Sequence, residues 1–119
     1  MNRQEVFEYA IEQYGTEPDY PWKDCNAVLR HKDNNKWYGL IMRVGRDKLG
    51  MTGGGEVDVL NVKCDPILIG SLRMQPGFFP AYHMNKDSWI SILLEGTAPD
   101  EEIKNLLSMS YELTRRKHK

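Results

Sequence analysis

The sequence is poor in the residues that staple or metallate small proteins. It holds two cysteines, Cys25 and Cys64, and no C-x-x-C pair, which excludes a zinc ribbon or a thioredoxin-type site. Two reduced thiols buried in the body are expected in a reducing compartment. His31, His83 and His118 stand apart with no H-x-x-x-H spacing, so no metal site is expected. No apolar run nears the ~18 residues that a membrane helix needs. The first fifteen residues carry acids among their apolar positions, unlike a secretory leader. A cytoplasmic chain with no membrane partner is the expectation.

Charge of one sign is also missing. Sixteen bases and seventeen acids give a net charge of −1. Four of the bases, Arg115, Arg116, Lys117 and Lys119, sit in the last five residues and make 115–119 a basic tail. The remaining body is −5, which argues against bulk attraction to nucleic acid. The bases are unevenly placed, however. Residues 22–48 hold Lys23, Arg30, Lys32, Lys36, Arg43, Arg46 and Lys48 against Asp24, Asp33 and Asp47, a local +4. A basic face on an acidic body is compatible with that distribution.

The 119 residues suit one domain, with enough chain to bury a single core unaided. Asn2 and Glu5 have the spacing of a capping box. Val6, Phe7, Ala10, Ile11 and Tyr14 recur at helical spacing before Gly15, predicting a helix over about 3–14. GTEPDYPWKD, residues 15–24, reads as an ordered loop pinned by Trp22. NAVLRHK and KWYGLIMRV read as two strands joined by an Asp/Asn turn. Strict alternation in the second strand puts Trp37, Gly39, Ile41 and Arg43 on one side. Tyr38, Leu40, Met42 and Val44 form the other, wholly apolar side. GRDKLGMTGGG connects to the strand EVDVLNVKC and has room for a further short strand. Gly53–Gly55 leads into that strand and not into a helix, so the phosphate-loop reading is set aside.

Asp65-Pro66 is a helix start, continuing to about Met74. QPGFFP reads as a turn. Ile90, Ile92 and Leu94 alternate in a strand near 88–95. Thr97 and Asp100 form a second capping-box candidate, followed by an amphipathic helix through Ile103, Leu106, Leu107 and Leu113. The expected class is α+β: a single antiparallel sheet with the N- and C-terminal helices packed on one face, plus a short helix near 66–74.

AYHMNKDSW concentrates chemistry before the last strand. His83 has two readings: a histidine that donates to a backbone carbonyl and orders the loop, or, with Lys86, a basic pair for an anion. Tyr82 and Trp89 are core rim or ligand walls accordingly. No catalytic constellation stands out by spacing, and no cofactor is expected.

Pro21-Trp22, Lys36-Trp37-Tyr38, LNVKCDP (60–66), PGFFPAYHMNKDSW (76–89) and LLSMSYEL (106–113) together resemble the MmcQ/YjbR family over nearly the whole chain. Ser88 departs from the pattern, since relatives often carry a second histidine before the tryptophan. The resemblance implies a CyaY-like fold and the family's "double wing" DNA-binding label, hence a non-enzymatic regulatory protein on double-stranded DNA. Lys36, Arg43, Arg46, Lys48, Lys63 and Lys86 would contact phosphates. It also marks Lys63, Tyr82, His83, Asn85, Lys86 and Trp89 as motif residues, with Trp22 and Trp37 as further family-motif or ligand candidates. The alternatives are a small-molecule or anion site, enzymatic or not, at Tyr82, His83, Lys86 and Trp89, and a protein-interaction adaptor. A monomer is expected.

Overall fold

The structure, a computed structural model, describes residues 1–115. The basic tail beyond Arg115 lies outside the described residues. Asn2 accepts from the Glu5 amide while the Glu5 carboxylate accepts from the Asn2 amide, so the expected capping box starts α1 (Arg3–Tyr14). Gly15, at φ 64, ends it in the left-handed conformation that glycine tolerates. β1 (Ala27–Arg30), β2 (Trp37–Gly45), β3 (Glu56–Lys63), α2 (Pro66–Arg73), β4 (Phe78–Pro80), β5 (Trp89–Leu93) and α3 (Asp100–Thr114) follow. The five strands form one antiparallel sheet in the order β1-β2-β3-β5-β4.

One sheet face carries the main core. Val6, Phe7 and Ala10 of α1, Ile69 and Leu72 of α2, and Ile103, Leu106 and Leu107 of α3 cluster with Leu29, Ile41, Leu60, Val62, Ile90 and Ile92. The other face carries a smaller cluster of Val44, Val57, Val59 and Leu93, with Met42, Leu49, Met51, Phe79 and Tyr82 against it.

Several local expectations are corrected. Alternation in β2 is broken by a bulge: Leu29 faces Gly39, but Arg30 faces Trp37, leaving Tyr38 without a partner. Tyr38 therefore points to the helix side, fully buried among Tyr14, Tyr111 and His31. Gly39 makes room there, since a Cβ would sit 3.0 Å from Leu29 Cδ1. Trp37 is released to the opposite face, alongside Leu40 and Met42.

The β2–β3 connection contains a 3₁₀ turn, Arg46–Leu49, and no strand. QPGFFP is more than a turn: Phe78–Pro80 forms β4, an edge strand short enough to end on a proline. α3 starts at Pro99 with no side-chain cap. Asp100 instead accepts from the Met1 amine at 2.7 Å. Leu113 is exposed, and Ser110 and Thr114 are the buried residues of that turn. Cys64 is buried as expected, but Cys25 is only half-buried.

Candidate ligand groove

The bulge that releases Trp37 prepares one wall of a groove on the sheet face away from the helices. Trp37, Leu40 and Met42 of β2 form its floor. Trp22, Asp24 and Asn26 enter from the 15–26 loop, and His83 and Met84 from the loop before β5. These eight residues enclose about 370 Å³, at the small end of the roughly 300–1,000 Å³ typical of ligand pockets. The Trp22 and Trp37 rings stand nearly perpendicular, 79° apart with centroids 5.8 Å apart. Trp22 thus does touch the body, yet stays 47% exposed, an unusual state for so large an apolar ring.

Each wall is fixed by named bonds. The Asn26 amide donates to Asp24 Oδ1 at 2.8 Å, and Asn26 Oδ1 accepts from the Arg43 amide at 2.9 Å. The loop is thereby tied to β2. Arg3 ties it further: its Nη1 donates to the Cys25 carbonyl at 2.6 Å while Nε and Nη2 grip Asp58 of β3 at 3.0 and 2.9 Å. Burial alone pushes the Asp58 carboxyl up. The Arg3 hydrogen bonds and charge, joined by Arg43, outweigh this and hold it below the usual carboxylate range.

The His83 wall is anchored from beneath. Asn61 and Ser91 are fully buried on neighbouring strands, paired across β3 and β5, and hydrogen-bonded to each other. Asn61 Nδ2 donates to the Tyr82 carbonyl at 3.0 Å, and Ser91 Oγ accepts from the Tyr82 amide at 2.9 Å. With Tyr82 held at both backbone groups, His83 adopts a left-handed φ of 59°, uncommon for a residue with a side chain. Its ring packs edge-on to Tyr82 at 4.0 Å. His83 is exposed, and no hydrogen bond engages its ring among the described residues. The loop-ordering reading, with the ring donating to a backbone carbonyl, is therefore not what the structure has.

The other motif residues do local work. Asn85 closes the turn, accepting from the Asp87 amide on its side chain and from the Ser88 and Trp89 amides on its carbonyl. The Lys86 carbonyl accepts from Arg73 of α2 at 2.7 Å. Trp89 and Lys63 are register partners across β5 and β3, both half-buried. Neither lines the groove, and Lys86 does not either.

Of the six basic candidates, Arg43 pairs with Asp58 at 3.3 Å and Arg46 with Glu95 at 2.6 Å. Lys36, Lys48 and Lys86 are exposed and Lys63 half-buried. Among the described residues none of these four lies within ion-pair distance of a carboxylate. Lys48 and Lys86 flank a second, smaller groove over Phe79, Pro80 and Tyr82.

No cluster of three His, Cys, Asp or Glu side chains able to hold a metal occurs among the described residues. Burial, then the neighbouring Asp65 charge, push the Cys64 thiol up, opposite to what a nucleophilic thiolate needs. Sequence reasoning named Trp22, Trp37 and His83 separately. It missed Asp24, Asn26, Met42, Met84 and the Asn61–Ser91 support. The one legible trace was Asn61, a polar residue between apolar neighbours of β3.

Comparison with known proteins places these features in context. The YjbR family model matches residues 11–113. The Bacillus subtilis (strain 168) protein YyaQ, uncharacterized, is 50% identical over 117 residues, covering 97% of this chain and 99% of YyaQ. A crystal structure of a Pseudomonas syringae protein has TM-score 0.94 and 49% identity, covering 97% of this chain and all of that one. The Deinococcus radiodurans protein DR2400 has TM-score 0.74 and 25% identity, covering 98% of this chain and 80% of that one.

Proposed function

The chain belongs to the YjbR family, and from that premise we propose that it is a small-molecule-binding protein whose site is the Trp22–Trp37–His83 groove. The observation that carries this reading is the pair of perpendicular, solvent-reachable indoles beside an exposed, strained histidine. Large aromatic surface left open in a concave, mainly apolar site with a few polar groups is the usual form of a ligand pocket. Binding without catalysis is favoured because the one acid that lines the groove with His83, Asp24, is hydrogen-bonded to Asn26 and not to the histidine, and no nucleophile accompanies them.

The test is a fragment screen read by amide chemical shifts and tryptophan fluorescence. Small, mainly apolar fragments should shift residues 22–26, 37–42 and 82–84, and Trp37→Ala should abolish the response. A screen that leaves these residues still, or that moves only other surfaces, overturns the reading.

A second reading, contact with double-stranded DNA, draws support from Lys36, Lys48, Lys63 and Lys86, the four of the six candidate bases with no carboxylate in ion-pair range among the described residues. The ion pairs of Arg43 and Arg46, and the net −5 of the body, weigh against it. Duplex titration decides. A phosphate-driven binder loses affinity steeply between about 50 and 200 mM salt. No binding at the lower salt, or a flat response, removes this reading.

A further inference from the structure

The lining of the groove restricts the charge of its occupant. We infer that the groove takes a methylated or quaternary alkylammonium head group; this rests on the ligand-groove reading above. Asp24 is the one carboxylate among the lining residues, and no lysine or arginine lines the groove with it. Asp24 has no ion-pair partner among the described residues. Its carboxylate is oriented by Asn26, whose amide donates at 2.8 Å and whose Nδ2 approaches at 3.5 Å. These contacts are to neutral groups, so the negative charge remains available to a ligand.

Two indoles line the groove with this charge. A cation is attracted to the face of an aromatic ring, most strongly tryptophan, within about 6 Å of its centroid. Rings 5.8 Å apart and 79° to each other form a corner in which one rounded cation can meet both. Of the remaining lining residues, Leu40, Met42, His83 and Met84, the two methionines are polarizable thioethers that adapt to an irregular apolar shape.

The same lining disfavours the other cations. A primary ammonium has three N–H groups and a guanidinium five, each needing an acceptor when buried. The groove offers one carboxylate, already accepting from Asn26, and one imidazole nitrogen of His83, too few acceptors for three or five N–H groups. A fully alkylated nitrogen has no N–H to satisfy and presents only methyl groups to the rings. An anion would face Asp24 directly. The class that matches is therefore a soft, bulky cation of choline-like chemistry, free or at the end of a side chain.

The probes are choline and 3,3-dimethylbutan-1-ol, its neutral isostere, titrated against the full chain with amide shifts as readout. Choline should bind about tenfold more tightly than the alcohol, the scale of a cation–π contact, with shifts at residues 22–26, 37–42 and 82–84. Asp24→Asn keeps an acceptor for the Asn26 amide. It should weaken choline about three- to tenfold and leave the alcohol unchanged. Trp22→Ala, at a half-exposed position, should lose choline without lowering thermal stability. Equal or tighter binding of the alcohol in the groove overturns the cation assignment and leaves the ligand groove standing. Silence from both probes, while the fragment screen still finds groove binders, also overturns the cation assignment alone. Silence from probes and screen together overturns both.

Discussion

His31 shows how one buried side chain sets the response of the fold to pH. It is 5% exposed, with Nε2 2.8 Å from Thr114 Oγ1. The Thr114 hydroxyl donates to the Ser110 carbonyl at 2.7 Å, so His31 Nε2 is the donor in the bond between them. Burial lowers the His31 pKa; Arg115 acts the same way, and Asp33, the Tyr111 carbonyl and Glu112 oppose without reversing it. Tyr14, Tyr38 and Lys32 complete its surroundings. In the unfolded chain the ring protonates near its ordinary value of about 6.5. Between that pH and the lower folded value, the unfolded state binds more protons, so stability falls as pH falls. Urea midpoints should drop on going from about pH 7.5 to 5.5, and His31→Gln should flatten that slope. An unchanged slope in the variant would remove His31 as its source. Asp58 acts at lower pH with the same sign: its depressed carboxyl gives stability present above about pH 4 and lost as pH falls further. Asp58→Asn should erase that acid limb.

At the scale of elements, the β4–β5 unit depends on Gly77. Gly77 has φ 89, and its carbonyl accepts from the Leu93 amide at 2.8 Å. A Cβ there would lie 3.2 Å from Thr97 Cβ and 3.3 Å from the Ala98 nitrogen. Gly77→Ala should therefore cost about 2 kcal/mol in urea unfolding, against a few tenths for Gly54→Ala, which meets nothing and has ordinary φ. Elements of this fold differ in how legible they are from sequence. α1 and α2 could be read because their starts are local: Asn2 bonds three residues on, and Asp65 accepts from Ile67 two residues on. The strands could be read from alternation. The bulge at Tyr38 could not, because it exists only in the pairing with β1. β4 was hidden by its three-residue length and its proline. The Thr97–Asp100 cap failed because Pro99, which has no side-chain acceptor, holds the cap position. The groove was illegible as a unit, since its walls come from three separate segments. The exposure of His83 follows from Asn61 and Ser91, buried partners 22 and 8 positions away, of which the sequence shows only a polar Asn61 between apolar neighbours.

Over the whole molecule, Arg3 is the residue that joins helix, loop and sheet. Its side chain is 20% exposed and that of Asp58 18%, between the exposed pairs that contribute up to about 1 kcal/mol and the buried ones whose disruption costs roughly 3–5. Arg3→Met should destabilise the fold by about 2 kcal/mol. It should also weaken ligand binding with no groove residue touched, because the Cys25 carbonyl that it holds lies between Asp24 and Asn26. Restored affinity at low temperature would separate that effect from damage to the groove itself. The bulge in β2 has a genetic consequence. Trp37 and Tyr38 are adjacent codons, yet one faces the groove and the other the core. In a scan of all substitutions, position 38 should be read out as loss of protein abundance. Position 37 should be read out as loss of binding at near-normal abundance. The two selective pressures on this chain would thus change over between neighbouring triplets.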